Sequence, residues 1–137
     1  MISLMQEWYS ISYSVFLGLS GIFFTLFTVI YALIDNKKTT VNFLTDLRKQ
    51  GQASPRQVAD WKYWKNFIAT LRDFNKHVLA LFAISIIISA GFIALRILEI
   101  EKLWLTYLLI IIEAATIIYL SYAFIRFIWL YHKNMED

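Results

Sequence analysis

The sequence predicts an all-α integral membrane protein with three transmembrane helices and a cytoplasmic helical hairpin between the first and second. Three observations carry that expectation. Of 137 residues, 59% are hydrophobic and 17% charged, whereas a soluble domain holds about 45–50% apolar and 25% charged residues, so this chain has too little polar surface to cover a water-facing globule. The charged residues cluster and leave three long apolar runs. Glycine and proline number four and one, which favours helices over a barrel of short strands.

The first run extends from Trp8 to Ile34 without a charge, longer than the roughly 20 residues a crossing needs. The second runs from Val78 to Leu95, and the third from Leu103 to Ile125, interrupted only by Glu113. The chain therefore divides into residues 1–36, an outside N-terminus and first span; 37–75, a basic cytoplasmic hairpin; and 76–137, the second and third spans with a cytoplasmic C-terminus. The stretch Met1 to Ser10 holds one acidic and no basic residue, unlike a signal or transit peptide, so the first span is expected to stay in the mature protein.

Orientation follows from lysine and arginine near the span ends. The segment between the first two spans carries nine bases against four acids, Asp35, Asp46, Asp60 and Asp73. With Arg126 and Lys133 that side holds eleven bases, and the other holds only Arg96 and Lys102. The expected location is a plasma or bacterial inner membrane, with the N-terminus outside. Topology and anionic headgroups account for the net charge of +3, so the lipid bilayer is the expected partner and nucleic acid is not.

Gly51 to Pro55 form the strong turn signal. A first hairpin helix is expected at roughly Thr39 to Gln50, with Val41, Leu44 and Leu47 on one side. A second opens with Ser54 as N-cap, Pro55 at the first helical position and Gln57 closing a capping box. Its stripe of Trp61, Trp64, Ile68, Leu71 and Val78, with Asn75 the polar member, runs into the second span, and no breaker separates Pro55 from about Leu98. Trp61, Lys62, Trp64 and Lys65 are the candidate contacts for a cytoplasmic protein partner at residues 37–75 or for lipid headgroups.

At about 100° per residue, Ser10, Ser14, Gly18, Gly21, Thr25, Thr28 and Ala32 share one narrow face of the first span. Close backbone approach through small residues is the usual way helices associate in lipid, so Ser14, Gly18, Gly21, Thr25 and Thr28 are expected to form the seam of a homo-oligomer. In the second span, Ser85, Ser89 and Arg96 share one side and Ala83, Ala90 and Ala94 the other, as in a helix packed on both sides.

Glu113 stands near mid-membrane in the third span, with Thr106, Thr116 and Ser121 on or beside its face. Twelve Leu, Ile and Phe residues from Leu103 to Ile125, at roughly 0.3 to 0.6 kcal/mol each, offset the few kcal/mol of inserting a carboxyl group. Such a residue either ties helices together or serves an ion path, and Arg96 is the nearest base on that half. The absence of cysteine removes disulfides and thiolate chemistry. His77 and His132 read as interfacial polar residues rather than metal or haem ligands. With no paired carboxylates, phosphate loop or nucleophile motif, neither an enzyme nor a cofactor is expected. The functional expectation is a small homo-oligomeric channel or pore-type element containing Glu113, the alternative being a non-conducting anchor or accessory subunit that docks a larger membrane complex through the hairpin.

Overall fold

The computed structural model describes residues 3–135, with side chains up to residue 133; residues 1, 2, 136 and 137 of the expected terminal segments lie outside the described residues. The described residues form three helices, α1 (Leu4–Lys49), α2 (Pro55–Ile97) and α3 (Leu103–Met135). Each is long and apolar enough to cross a membrane. The protein is thus a multi-pass membrane protein in contact with a lipid bilayer.

Local chemistry fixes the helix ends. Ser3 caps α1, its hydroxyl accepting from the Gln6 amide at 3.2 Å, and donates to the Glu101 carboxylate beyond the end of α2. Between α1 and α2, Gly51 has φ +68°, and the Gln52 and Gly51 amides donate to the carbonyls of Leu47 and Arg48 at 3.0 and 3.1 Å, a Schellman closure. Ser54 and Gln57 then exchange the two hydrogen bonds of a capping box, at 2.9 and 3.2 Å. At the far end of α2 the same closure recurs, Ile100 donating to Leu95 and Glu99 to Arg96. There the left-handed position is held by a non-glycine residue, Glu99, at φ 52°.

The separate hairpin expected at residues 37–75 is not present among the described residues. No glycine or proline interrupts residues 35–50, so the expected helix at Thr39–Gln50 is the end of α1, which runs unbroken for 46 residues. Residues 55–75 likewise belong to the continuous α2. The continuity read from Pro55 onward is observed, and the independent helix before it is not.

The chain divides into two compact units, Met1–Leu26 with Val78–Tyr122, and Phe27–His77 with Ala123–Asp137. In the first, Tyr9, Phe16, Ile88 and Phe92 form the buried core. The Phe92 ring lies edge-on to Trp8 at 5.1 Å and packs against Tyr9 and Phe16 at 6.0 and 6.4 Å. Lipid tails are as apolar as these rings, so their burial reflects packing rather than escape from water. In the second unit, Phe74 packs on Phe127 at 4.6 Å and on Phe124 at 5.5 Å. Arg126 makes a forked pair with Asp73, Nε to Oδ2 at 2.9 Å and an Nη to Oδ1 at 3.2 Å.

Candidate functional site

Glu113 lies ten residues into α3, about 15 Å along its axis, half of a 30 Å hydrocarbon core. Ser12 lies eight residues into α1, about 12 Å along, and its hydroxyl hydrogen-bonds the Glu113 carboxyl group. The carboxyl oxygen Oε1 is buried and has no hydrogen-bond partner. Thr116, one turn further on, is buried and returns its hydroxyl to the Ile112 carbonyl at 2.8 Å, so it does not supply the missing donor.

These three polar side chains sit in a groove of about 280 Å³ between α1 and α3 of the first unit. From α1 come Trp8, Ile11, Val15, Phe16, Leu19 and Phe23, and from α3 Ile117 and Leu120. Among these lining residues there is no lysine, arginine or histidine. Ile11, Val15 and Ile117 are more than half exposed, so the groove opens laterally, where hydrocarbon lies around a membrane-embedded helix.

The other polar residues singled out from the sequence are dispersed. Thr106 Oγ1 meets the Tyr9 hydroxyl at 3.1 Å. Ser121 is exposed and turns back on the Ile117 carbonyl at 3.1 Å. Arg96 donates to the Ser10 hydroxyl. Glu113, Thr116 and Ser12 come together; Thr106, Ser121 and Arg96 make their own contacts elsewhere. Ser12 is not legible in the sequence, because spacing along one helix shows which residues share a face, not which face meets a neighbour.

The small-residue seam is uncovered. Ser14, Gly18, Gly21, Thr25, Thr28 and Ala32 are all exposed, and a Cβ added at Gly18 or Gly21 would meet nothing within 4 Å. The seam centre lies about 150° around α1 from the buried Tyr9, Ser12, Phe16, Ser20 and Phe23. The groove and the seam are therefore different faces of the same helix. On α2, Ser85 and Ser89 are buried while Ala83, Ala90 and Ala94 are exposed, so the chain itself covers only the serine side of the two faces anticipated.

In the second unit Trp61, Trp64 and Lys65, expected to meet a partner, make contacts within the chain. Trp61 Nε1 donates to Thr45 Oγ1 at 2.9 Å, with the Arg48 guanidinium and the Lys65 ammonium 4.2 and 4.7 Å from its ring centre. Lys37 lies 4.1 Å over Trp64, and Lys62 is exposed at the surface. Burial, followed by a hydrogen bond to Tyr131, raises the Tyr63 phenol above its usual range. The hydrogen bond from Arg126 holds the Asp73 carboxyl below the usual range. Asp73 also approaches His77 Nε2 at 3.9 Å.

The chain matches no family model, no curated protein and no solved structure.

Proposed function

We propose that the protein is a small homo-oligomeric membrane protein of the channel or pore type, with Glu113 as the cation position of its path and no enzymatic activity. The observation that carries this reading is the mid-span carboxyl group with one buried oxygen left without a partner. An ionisable residue inside a membrane is costly, and where it does not close a structural pair it marks an ion or substrate position. Ser12 engages the carboxyl group without neutralising it, and Arg96, the nearest base on that half, is engaged with Ser10.

Self-association through the α1 seam supports the same reading. Three helices enclose no pore by themselves, and Ser14, Gly18, Gly21, Thr25 and Thr28 offer a flat face for a second copy. Because that face points away from Glu113, the seam joins copies and the path runs beside α3. The imbalance of basic residues puts the joined ends of α1 and α2, and the C-terminus, in the cytoplasm of a plasma or bacterial inner membrane. The rival reading, a non-conducting anchor docking a partner through residues 37–75, draws less support. Trp61, Trp64 and Lys65 are already committed to contacts within the chain.

The test is cation flux into liposomes containing the purified protein, comparing the natural sequence with Glu113→Gln, with the oligomeric state followed for Gly18→Leu and Gly21→Leu. The expected result is flux whose rate or selectivity changes with Glu113→Gln, and an oligomer that dissociates on either leucine substitution. A folded, reconstituted protein that conducts nothing, or whose flux ignores Glu113, overturns the reading.

A further inference from the structure

The groove between α1 and α3 carries a ligand preference more specific than "cation". Its walls are apolar, and its polar side chains are Glu113, Ser12 and Thr116. A dehydrated calcium or magnesium ion needs six or more oxygen ligands, and this groove supplies a carboxyl group and two hydroxyls, one of them already bonded to the Ile112 carbonyl. What Glu113 lacks is a single hydrogen-bond donor at Oε1, and no basic side chain lines the groove to provide it. Trp8, Phe16 and Phe23 are among its walls, and aromatic faces attract organic cations.

The shape agrees with the chemistry. At about 280 Å³ the groove falls just below the usual small-molecule range of about 300–1,000 Å³, enough for one linear chain and too little for a whole phospholipid. Its mouth at Ile11, Val15 and Ile117 opens sideways, so a ligand dissolved in the bilayer reaches it without crossing water.

We propose that the α1–α3 groove is a binding site for a lipophilic primary ammonium ion, its N–H group on Glu113 Oε1 and its alkyl chain along Val15, Leu19 and Leu120. The proposal rests on Glu113 being a cation position and does not require conduction. A donor without charge, such as an alcohol, satisfies Oε1 but brings no counter-charge for the ionised form, whereas an ammonium ion supplies the donor and the charge together.

The test is isothermal titration of the full chain in phosphatidylcholine nanodiscs with n-decylammonium, with n-decanol as the neutral probe and empty discs to subtract partitioning. Expected are one saturable decylammonium site per chain and binding about tenfold or more weaker in Glu113→Gln, since one partner of a buried charge pair is removed. Decanol should bind more weakly and be insensitive to that substitution. Val15→Trp fills the mouth from an exposed position; it should abolish saturable binding while keeping Glu113 and the helical circular dichroism. If Glu113→Gln does not fold, Val15→Trp still decides the matter. No saturable signal above empty discs, equal affinity in Glu113→Gln, equal affinity for decanol, or unchanged binding in Val15→Trp overturns the proposal. Ammonium binding without inorganic flux removes the channel reading and leaves this one standing. Glu113-dependent flux without ammonium binding does the reverse.

Discussion

The forked pair between Asp73 and Arg126 makes a quantitative prediction for the second unit. Two parallel N–H···O bonds, at 2.9 and 3.2 Å, match the planar fork that a guanidinium offers a carboxylate. A hydrogen bond to a charged group contributes about 1.5–3 kcal/mol when well shielded, and an exposed ion pair about 0.2–1 kcal/mol. The side chains here are 28% and 38% exposed, which sets the expected coupling at about 1 kcal/mol, roughly a fivefold change in the folding equilibrium. A double-mutant cycle of Asp73→Ala and Arg126→Ala, measured by reversible unfolding in mixed micelles, should return that coupling. Arg126→Lys should lose about half of it, because an ammonium keeps the charge and loses the fork.

The pH dependence has a fixed sign. Asp73 is held below its ordinary value chiefly by the Arg126 hydrogen bond, so the unfolded chain takes up a proton more readily than the folded one. The contribution is fully present above the unfolded value of 3.8 and declines as pH falls through the lower folded value. Natural protein should lose stability relative to Asp73→Asn as the solution is acidified through that window, and not between pH 6 and 8. A coupling below about 0.3 kcal/mol, or a loss confined to neutral pH, would refute the argument.

Two further substitutions probe the first unit. Phe92→Ala removes a fully buried ring that touches Trp8, Tyr9 and Phe16. The transfer term largely cancels in lipid, leaving a cavity of roughly 100 Å³ that costs about 2.4 kcal/mol at about 24 cal/mol per Å³; a loss below about 1 kcal/mol in the same unfolding assay would show that the site collapses. Glu99→Gly relieves a side chain at φ 52°, where an L-residue costs about 1–2 kcal/mol. Allowing for the added freedom of glycine in the unfolded chain, the variant should be more stable by about 0.5 kcal/mol, and an unchanged or lower midpoint counts against the strain.

What the sequence made legible is what one helix encodes by itself. The three apolar runs, the Ser54–Gln57 box and the turn at Gly51 depend on neighbours within a few residues, and all appear as expected. The boundary expected at Thr39 is not observed, because polarity alone does not end a helix and residues 35–50 contain no glycine or proline to break it. The Asp73–Arg126 fork, the Ser12–Glu113 contact and the left-handed Glu99 were not legible. The first two depend on how α3 is rotated against its neighbours, which packing decides and spacing does not. Glu99 carries no turn signature, because the closure there takes a residue of ordinary type.

The two faces of α1 show why a seam and a site need not coincide. Its inward face combines Ser12 and Ser20 with Tyr9, Phe16 and Phe23, large rings that gain packing contacts and, at Ser12, a small hydroxyl that admits the Glu113 carboxyl group. Its opposite face, around Gly18 and Gly21, has nothing near enough to touch an added Cβ. Against lipid that face forgoes the dispersion contacts a leucine would make, and it recovers them only against another flat surface. The carboxyl group has the complementary need, a donor brought into a groove with no base of its own. On the proposed reading α1 thus faces a second copy on one side and lines the groove of the α3 carboxyl group on the other. Substitutions at Gly18 and at Glu113 should therefore act independently on assembly and on binding.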